Sequence, residues 1–263
     1  MPVTAEHSIL EPAPAAQAAP EERWPTHPYR ASLFVMLAGY LLLTGILLGI
    51  GLLLTHALDG SVGQWDQNVN ELFARHRTEI WNDVTGIATA AFNTVPVIIA
   101  ASVVVGLLAI RRRWSEAAFL TLALLLEITV FLSVTFVVAR PRPAVHRLNS
   151  TPATSSFPSG HTAAATVLFV GIALIVTCCT RSQLARVGSM LLAGVVAIAV
   201  GFSRVYRGLH HPTDVFVGLL FGLACLAFAA LAVRAARRRI DRAEEPVDRR
   251  EPAISGDRLR RIA

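Results

Sequence analysis

The sequence predicts an all-α integral membrane protein: six transmembrane helices in a bundle, with a short interfacial helix in the first outer loop. Three observations lead there. Hydrophobic residues make up 54% of 263, more than a soluble core of that size needs. They are gathered into runs long enough to cross a hydrocarbon layer of roughly 30 Å, for which about 20 helical residues suffice. Arginines follow every second run, the asymmetry that fixes topology in a bilayer.

Residues 1–30 are rich in Ala, Pro and Glu and read as a disordered cytoplasmic segment. They lack the basic start and short apolar core of a secretory signal. Runs 31–58 and 84–110 hold no Asp, Glu, Lys or Arg, and run 117–139 is broken only by Glu127. Runs 160–180, 187–203 and 215–233 complete the six, the fifth being the shortest. The transmembrane domain is thus 31–233, followed by a basic, partly disordered cytoplasmic tail, 234–263.

Arg111, Arg112 and Arg113 follow the second run, Arg181 and Arg186 the fourth, and Arg234, Arg237, Arg238 and Arg239 the sixth. Six spans put all three groups and both termini in the cytoplasm of a cell membrane. The net charge of +6 comes largely from these flanks and the tail. The tail mixes Arg with Asp and Glu, so a nucleic-acid partner is not expected. Cys178, Cys179 and Cys225 read as packing residues, without a disulfide framework.

Three loops then face outward. Residues 59–83 carry Trp65, Val69, Leu72 and Phe73 at helical spacing, then Ile80 and Trp81. This is the pattern of an interfacial helix, a surface anchor in preference to a lid. The second loop begins with Arg140 and Arg142 among prolines and ends in "SSFPSGH", which opens the fourth span. Ser159, Gly160 and His161 would sit in that helix's first turn, where free N–H groups and the dipole attract anions. Gly160 would let a ligand approach the backbone.

The third loop, "SRVYRGLHHPTD", brings Arg204, Arg207, His210, His211 and Asp214 to the same side. Arginine forks match phosphate oxygens. A histidine oriented by a carboxylate is a nucleophile or base, and a second histidine can protonate a leaving oxygen. The combination reads as a metal-independent phosphoryl-transfer site at a membrane surface. Zinc is the weaker reading: no H-E-x-x-H or cysteine pattern is present, and arginines would repel a dication.

These residues resemble the type 2 phosphatidic acid phosphatase superfamily, which also includes the vanadium haloperoxidases. Its motifs are K-x6-R-P, P-S-G-H and S-R-x5-H-x3-D. Pro158, Ser159, Gly160 and His161 match the second; Ser203, Arg204, His210 and Asp214 match the third. The first departs. Arg140 and Pro141 match, but Ser133 stands at the lysine position, and the chain contains no lysine. Arg142 and Arg207 are the candidates to supply the missing charge.

The resemblance spans about residues 60–230 and implies a lipid phosphatase without metal or cofactor. His210 would attack phosphorus, and Asp214 would hold its ring and stabilise its charge. His161 would protonate the leaving oxygen. Arg140 and Arg204, with Ser159 and the Gly160 amide, would bind the phosphoryl oxygens. Polyprenyl diphosphate, phosphatidate and phosphatidylglycerophosphate all satisfy the motifs, which see only the phosphoryl end. Transfer to an acceptor other than water, or silent lipid-phosphate binding or transport, are the alternatives; halide oxidation fits six apolar spans poorly. Oligomeric state is left open.

Three residues stand apart. Glu127 lies thirteen residues before Arg140, about 20 Å deeper at the helical rise; it would pair with an arginine from another helix or stay protonated and line the bundle, and structural pairing is expected before contact with substrate. His146 and Arg147 read as exposed loop residues. His211 reads as the cap beside the catalytic His210.

Overall fold

In a computed structural model the described residues are 29–150 and 154–244, with side chains to 239. The disorder expected of residues 1–30 and 234–263 falls mostly outside them; within them, residues 234–244 are helical. The described residues are helices and loops, with no strand among them.

Helix α1 (Arg30–Leu52) runs through two π-helical turns, Leu53–Ala57 and Asp59–Gly63, into α2 (Gln64–Arg75). Then come α3 (Glu79–Ala91), α4 (Thr94–Ile110), α5 (Trp114–Val138), α6 (Gly160–Cys179), α7 (Gln183–Tyr206) and α8 (Pro212–Glu244). Among the described residues, five segments are long and apolar enough to cross a membrane on their own; a sixth crossing needs α3 and α4 together, which meet at 50°.

Two expectations change. The run 84–110 is not one straight helix. It breaks at Phe92 and Asn93, where extended Asn93 starts α4 and Pro96 occupies its first turn, the place a helix tolerates proline. The fifth run is not the shortest helix. It has 24 residues, because polar residues at both ends are helical as well and Ser182 caps it by accepting from the Ala185 N–H at 3.3 Å. An apolar run measures hydrophobicity, and helix length follows from caps.

Helix α6 packs against α5, α7 and α8; α1 lies against α5 and α8, α4 against α5 and α6, and α3 against α7. Small residues allow the closest approaches. A Cβ on Gly222 would stand 2.8 Å from the Ala163 carbonyl oxygen, and one on Gly218 2.6 Å from that of Ser159. The outward faces of α1, α4 and α7 carry Leu33, Leu41, Ile98, Val103, Leu191 and Ile198, all exposed. That belt suits hydrocarbon. Cys225 is buried in the core, as expected for a packing residue, whereas Cys178 and Cys179 are exposed.

Arg113 reaches the Cys179 sulfur, and Arg237 Nε donates to Ser115 Oγ at 2.8 Å. The basic flanks of α4, α6 and α8 therefore gather at one end of the bundle. The buried polar residues gather at the other.

Candidate active site

Four helix ends meet there: the C-termini of α5 and α7 and the N-termini of α6 and α8. Left-handed Ala139 (φ 47°) stops α5 just before Arg140 and Pro141. Gly208 (φ 73°) turns the chain after α7, and a Cβ there would meet Val145 at 2.7 Å. These two stops bring the polar loops over the bundle.

His210 Nδ1 donates to the Ser156 carbonyl at 2.6 Å. A carbonyl only accepts, so Nδ1 carries the proton and Nε2 keeps its lone pair. Burial lowers His210 well below the usual histidine range; the charge of Arg142, His161 and Arg204 adds to this, against the bond to Ser156. That shift favours the uncharged ring at neutral pH.

Near it lie donors without acceptors. Arg204 is 4% exposed, yet its Nε and Nη2 are buried with no partner among the described residues; the same holds for Arg142 Nε. Arg142 is held by the Leu209 carbonyl (2.7 Å) and Thr154 Oγ1 (3.3 Å), so it sits one residue from His210. Buried N–H groups are rarely left unpaired in a folded protein. An anion such as a phosphoryl group would complete them.

His161, in the first turn of α6, lines a cavity of about 600 Å³ enclosed by α4, α5 and α6. On another side, a polar recess of about 570 Å³ is lined by Arg142, His211, Gln67 and His56.

The residues 115–238 match the model of the PAP2 superfamily. Among curated proteins, a 69-residue segment is 41% identical to "Phosphatidylglycerophosphatase B" of Bacillus subtilis (strain 168), covering 26% of this chain and 34% of that one. A 113-residue segment is 35% identical to the "Putative undecaprenyl-diphosphatase YbjG" of Escherichia coli (strain K12), over 40% and 52% of the two chains. The chain thus spans about a third to a half of the length of these relatives. Among solved structures, the transmembrane PAP2 type phosphatidylglycerolphosphate phosphatase from Bacillus subtilis superposes with a TM-score of 0.57 at 23% identity, over 84% of this chain and 98% of that one. This last likeness is one of fold.

The motif residues do converge, but several have partners the sequence did not foretell. Arg140 is buried between two carboxylates: Nη2 bonds Asp66 at 2.8 Å, and Nη1 bonds Asp214 and, at 2.8 Å, Thr213 Oγ1. Its guanidinium, expected to bind phosphoryl oxygens, is held by these internal partners. Arg207 is likewise engaged, with Asn149, the Asn82 carbonyl (2.8 Å), Thr85 Oγ1 (3.1 Å) and the Leu148 carbonyl (3.3 Å). Of the two arginines expected to replace the absent lysine, Arg142 is the one beside His210.

The repeated Arg-Pro explains the shift. Residues 140–143 read Arg-Pro-Arg-Pro, so two registers of K-x6-R-P exist. Taken from Arg142, the lysine position falls on Thr135, buried beside the Phe157 carbonyl that precedes the P-S-G-H turn. Ser133 instead shares a hydrogen bond with Tyr40 on α1 at 2.9 Å.

Asp214 does not bond the nucleophile candidate. Its carboxylate stands 4.0 Å from His210 Nδ1 and accepts from Ser156 Oγ (2.8 Å), the His211 N–H (2.9 Å) and Arg140. As the third residue of α8 it caps that helix at His211. Ser159 also has internal partners: its N–H donates to the Asp214 carbonyl at 3.0 Å, and its hydroxyl pairs with Thr162 at 2.9 Å. Gly160 answers a packing need, since a Cβ would meet the Phe131 ring at 2.8 Å.

Asp66, Asn70 and Ser156 were missed. The loop between the first two apolar runs does form a helix, but α2 turns Asp66 and Asn70 inward and leaves Trp65 and Leu72 54% and 56% exposed. Asp66 accepts from the Thr213 N–H at 3.0 Å, a second carboxylate at the positive end of α8. Asn70 lies 3.5 Å from His211 Nδ1. The i, i+4 spacing of Asp66 and Asn70 inside an otherwise apolar stripe was the available signal. Ser156 acts partly through its carbonyl, for which a sequence carries no signal.

Proposed function

We propose that the protein is a membrane lipid phosphatase that hydrolyses a phosphate monoester, or the terminal phosphate of a diphosphate, through a phosphohistidine. One observation carries the reading: Arg204 and Arg142 keep three buried guanidinium nitrogens without partners among the described residues, beside His210, whose Nδ1 is held by the Ser156 carbonyl. The relatives named as phosphatases agree with it.

In this reading the phosphoryl group sits between Arg142 and Arg204. His210 Nε2 attacks phosphorus in line, the P–O bond to the lipid breaks, and His161 gives the leaving oxygen its proton. Water, deprotonated by His161, then cleaves the P–N bond and releases phosphate. Asp214 acts at 4.0 Å as a fixed negative charge that steadies the imidazole once it turns positive. The positive-inside rule puts the basic end in the cytoplasm and the site at the opposite face of the cell membrane, with both termini cytoplasmic.

The decisive experiment is phosphate release from diacylglycerol phosphate, phosphatidylglycerophosphate and polyprenyl diphosphate by detergent-purified protein in EDTA. The expected result is release by the wild type and none by His210→Ala. Full activity of His210→Ala would overturn the nucleophile. No release by folded wild type would favour a silent lipid-phosphate binder.

A further inference from the structure

Asp66 and Asp214 share the Arg140 cation, whereas the Glu127 carboxyl makes no hydrogen bond or ion pair among the described residues. The arginine partner expected for it is not there. Glu127 is 5% exposed and forms part of the wall of the cavity of about 600 Å³ that also holds His161 and Gly160.

Its depth differs from what chain distance suggested. Phe131, one turn further along α5, would be 2.8 Å from a Cβ on Gly160. The start of α6 therefore dips into the bundle to the level of Phe131, and Glu127 lies only about 6 Å of helical rise below it. The remaining lining is largely apolar, and Ile98, Leu125, Ile128 and Leu132 at its rim face outward. A lipid tail entering from the bilayer suits such walls.

A carboxyl there is chemically particular. With no cation against it the neutral acid is the cheaper species, and that acid has a proton to donate. Against pure hydrocarbon, donor and acceptors would all go unsatisfied.

Resting on the phosphatase reading above, we infer that Glu127 is a specificity-determining residue that donates a hydrogen bond to a polar linkage of the lipid about one helical turn from the reacting phosphoryl group. An ester carbonyl of an acylglycerol phosphate falls at that distance. A polyprenyl chain has only hydrocarbon there. The site is built for a glycerol-linked phosphate in preference to a polyprenyl one.

The test compares kcat/KM for phosphate release from diacylglycerol phosphate, its ether-linked dialkyl analogue and polyprenyl diphosphate. The proteins are the wild type, Glu127→Gln and Glu127→Leu, each checked for folding by melting in detergent. Wild type should prefer the diacyl lipid over the dialkyl one at least tenfold. Glu127→Leu should lose that preference through KM while handling polyprenyl diphosphate as well as before, and Glu127→Gln, still a donor, should keep most of it. Equal losses on all three lipids in Glu127→Leu, or no preference in the wild type, would overturn the inference and leave the phosphatase reading standing. Release from none of them by folded wild type would overturn both.

Discussion

His210 and Asp214 are joined through Ser156: the Ser156 carbonyl accepts from His210 Nδ1 at 2.6 Å, and its hydroxyl donates to Asp214 at 2.8 Å. The ring is thus oriented by a backbone atom, and the carboxylate holds the residue that provides it. Replacing Ser156 by Ala should leave the carbonyl in place and lower kcat modestly, about tenfold, the worth of one hydrogen bond. His210→Ala should abolish turnover. Single-turnover phosphate release separates the two; equal loss in both would mean that the hydroxyl, not the carbonyl, sets the ring.

Arg142 and Arg140 should differ in kind. Arg142→Ala and Arg204→Ala should keep the fold and lose about 10²- to 10³-fold in kcat, as when one fixed donor to a developing anion is removed. Their affinity for inorganic vanadate should fall in parallel. Arg140→Ala leaves Asp66 and Asp214 buried without their cation, which costs about 3–5 kcal/mol of stability. Thermal melting in detergent, with and without vanadate, distinguishes these outcomes. An Arg140→Ala protein that melts like wild type but no longer binds vanadate would reverse the assignment.

Gly218→Ala should reduce activity without touching a polar group of the site. A Cβ there would be 2.6 Å from the Ser159 carbonyl oxygen, which belongs to backbone and can yield only if the P-S-G-H turn shifts. Because a small displacement of a catalytic turn is costly, a loss of tenfold or more in kcat is expected at near-normal melting temperature. Normal kinetics would show that α6 and α8 have slack at this contact.

Acid should destabilise the fold through its buried histidines. His210 and His211 are both lowered, by burial first; Arg140 adds to the effect on His211, against the carboxylates of Asp214 and Asp66. The unfolded chain takes up protons as pH falls through about 6.5, while the folded one does not. Stability is therefore complete above that pH and declines below it, by about 1.4 kcal/mol per pH unit for each histidine, until the folded values are reached. Melting temperatures from pH 7.5 to 5 should show this decline, and His210→Gln should flatten it. A slope unchanged by His210→Gln would assign the acid sensitivity to other groups.

The sequence by itself determined the helical membrane architecture, the end of the bundle that is basic, and the motif residues that meet at the other end. It could do so because a bilayer demands apolar helices of fixed length, and because phosphoryl chemistry demands particular side chains at particular spacings. Only the tertiary structure decided which arginine is paired with carboxylates. Arg140 and Arg142 are alike in sequence, and the difference lies in Asp66, more than seventy positions away, whose carboxylate reaches the first and not the second. The same holds for Glu127, deep by chain distance yet on one cavity wall with His161, because α6 starts inside the bundle. Spacing along a helix is local and legible; charge pairing and depth depend on what other helices bring, and those are settled only when the bundle packs.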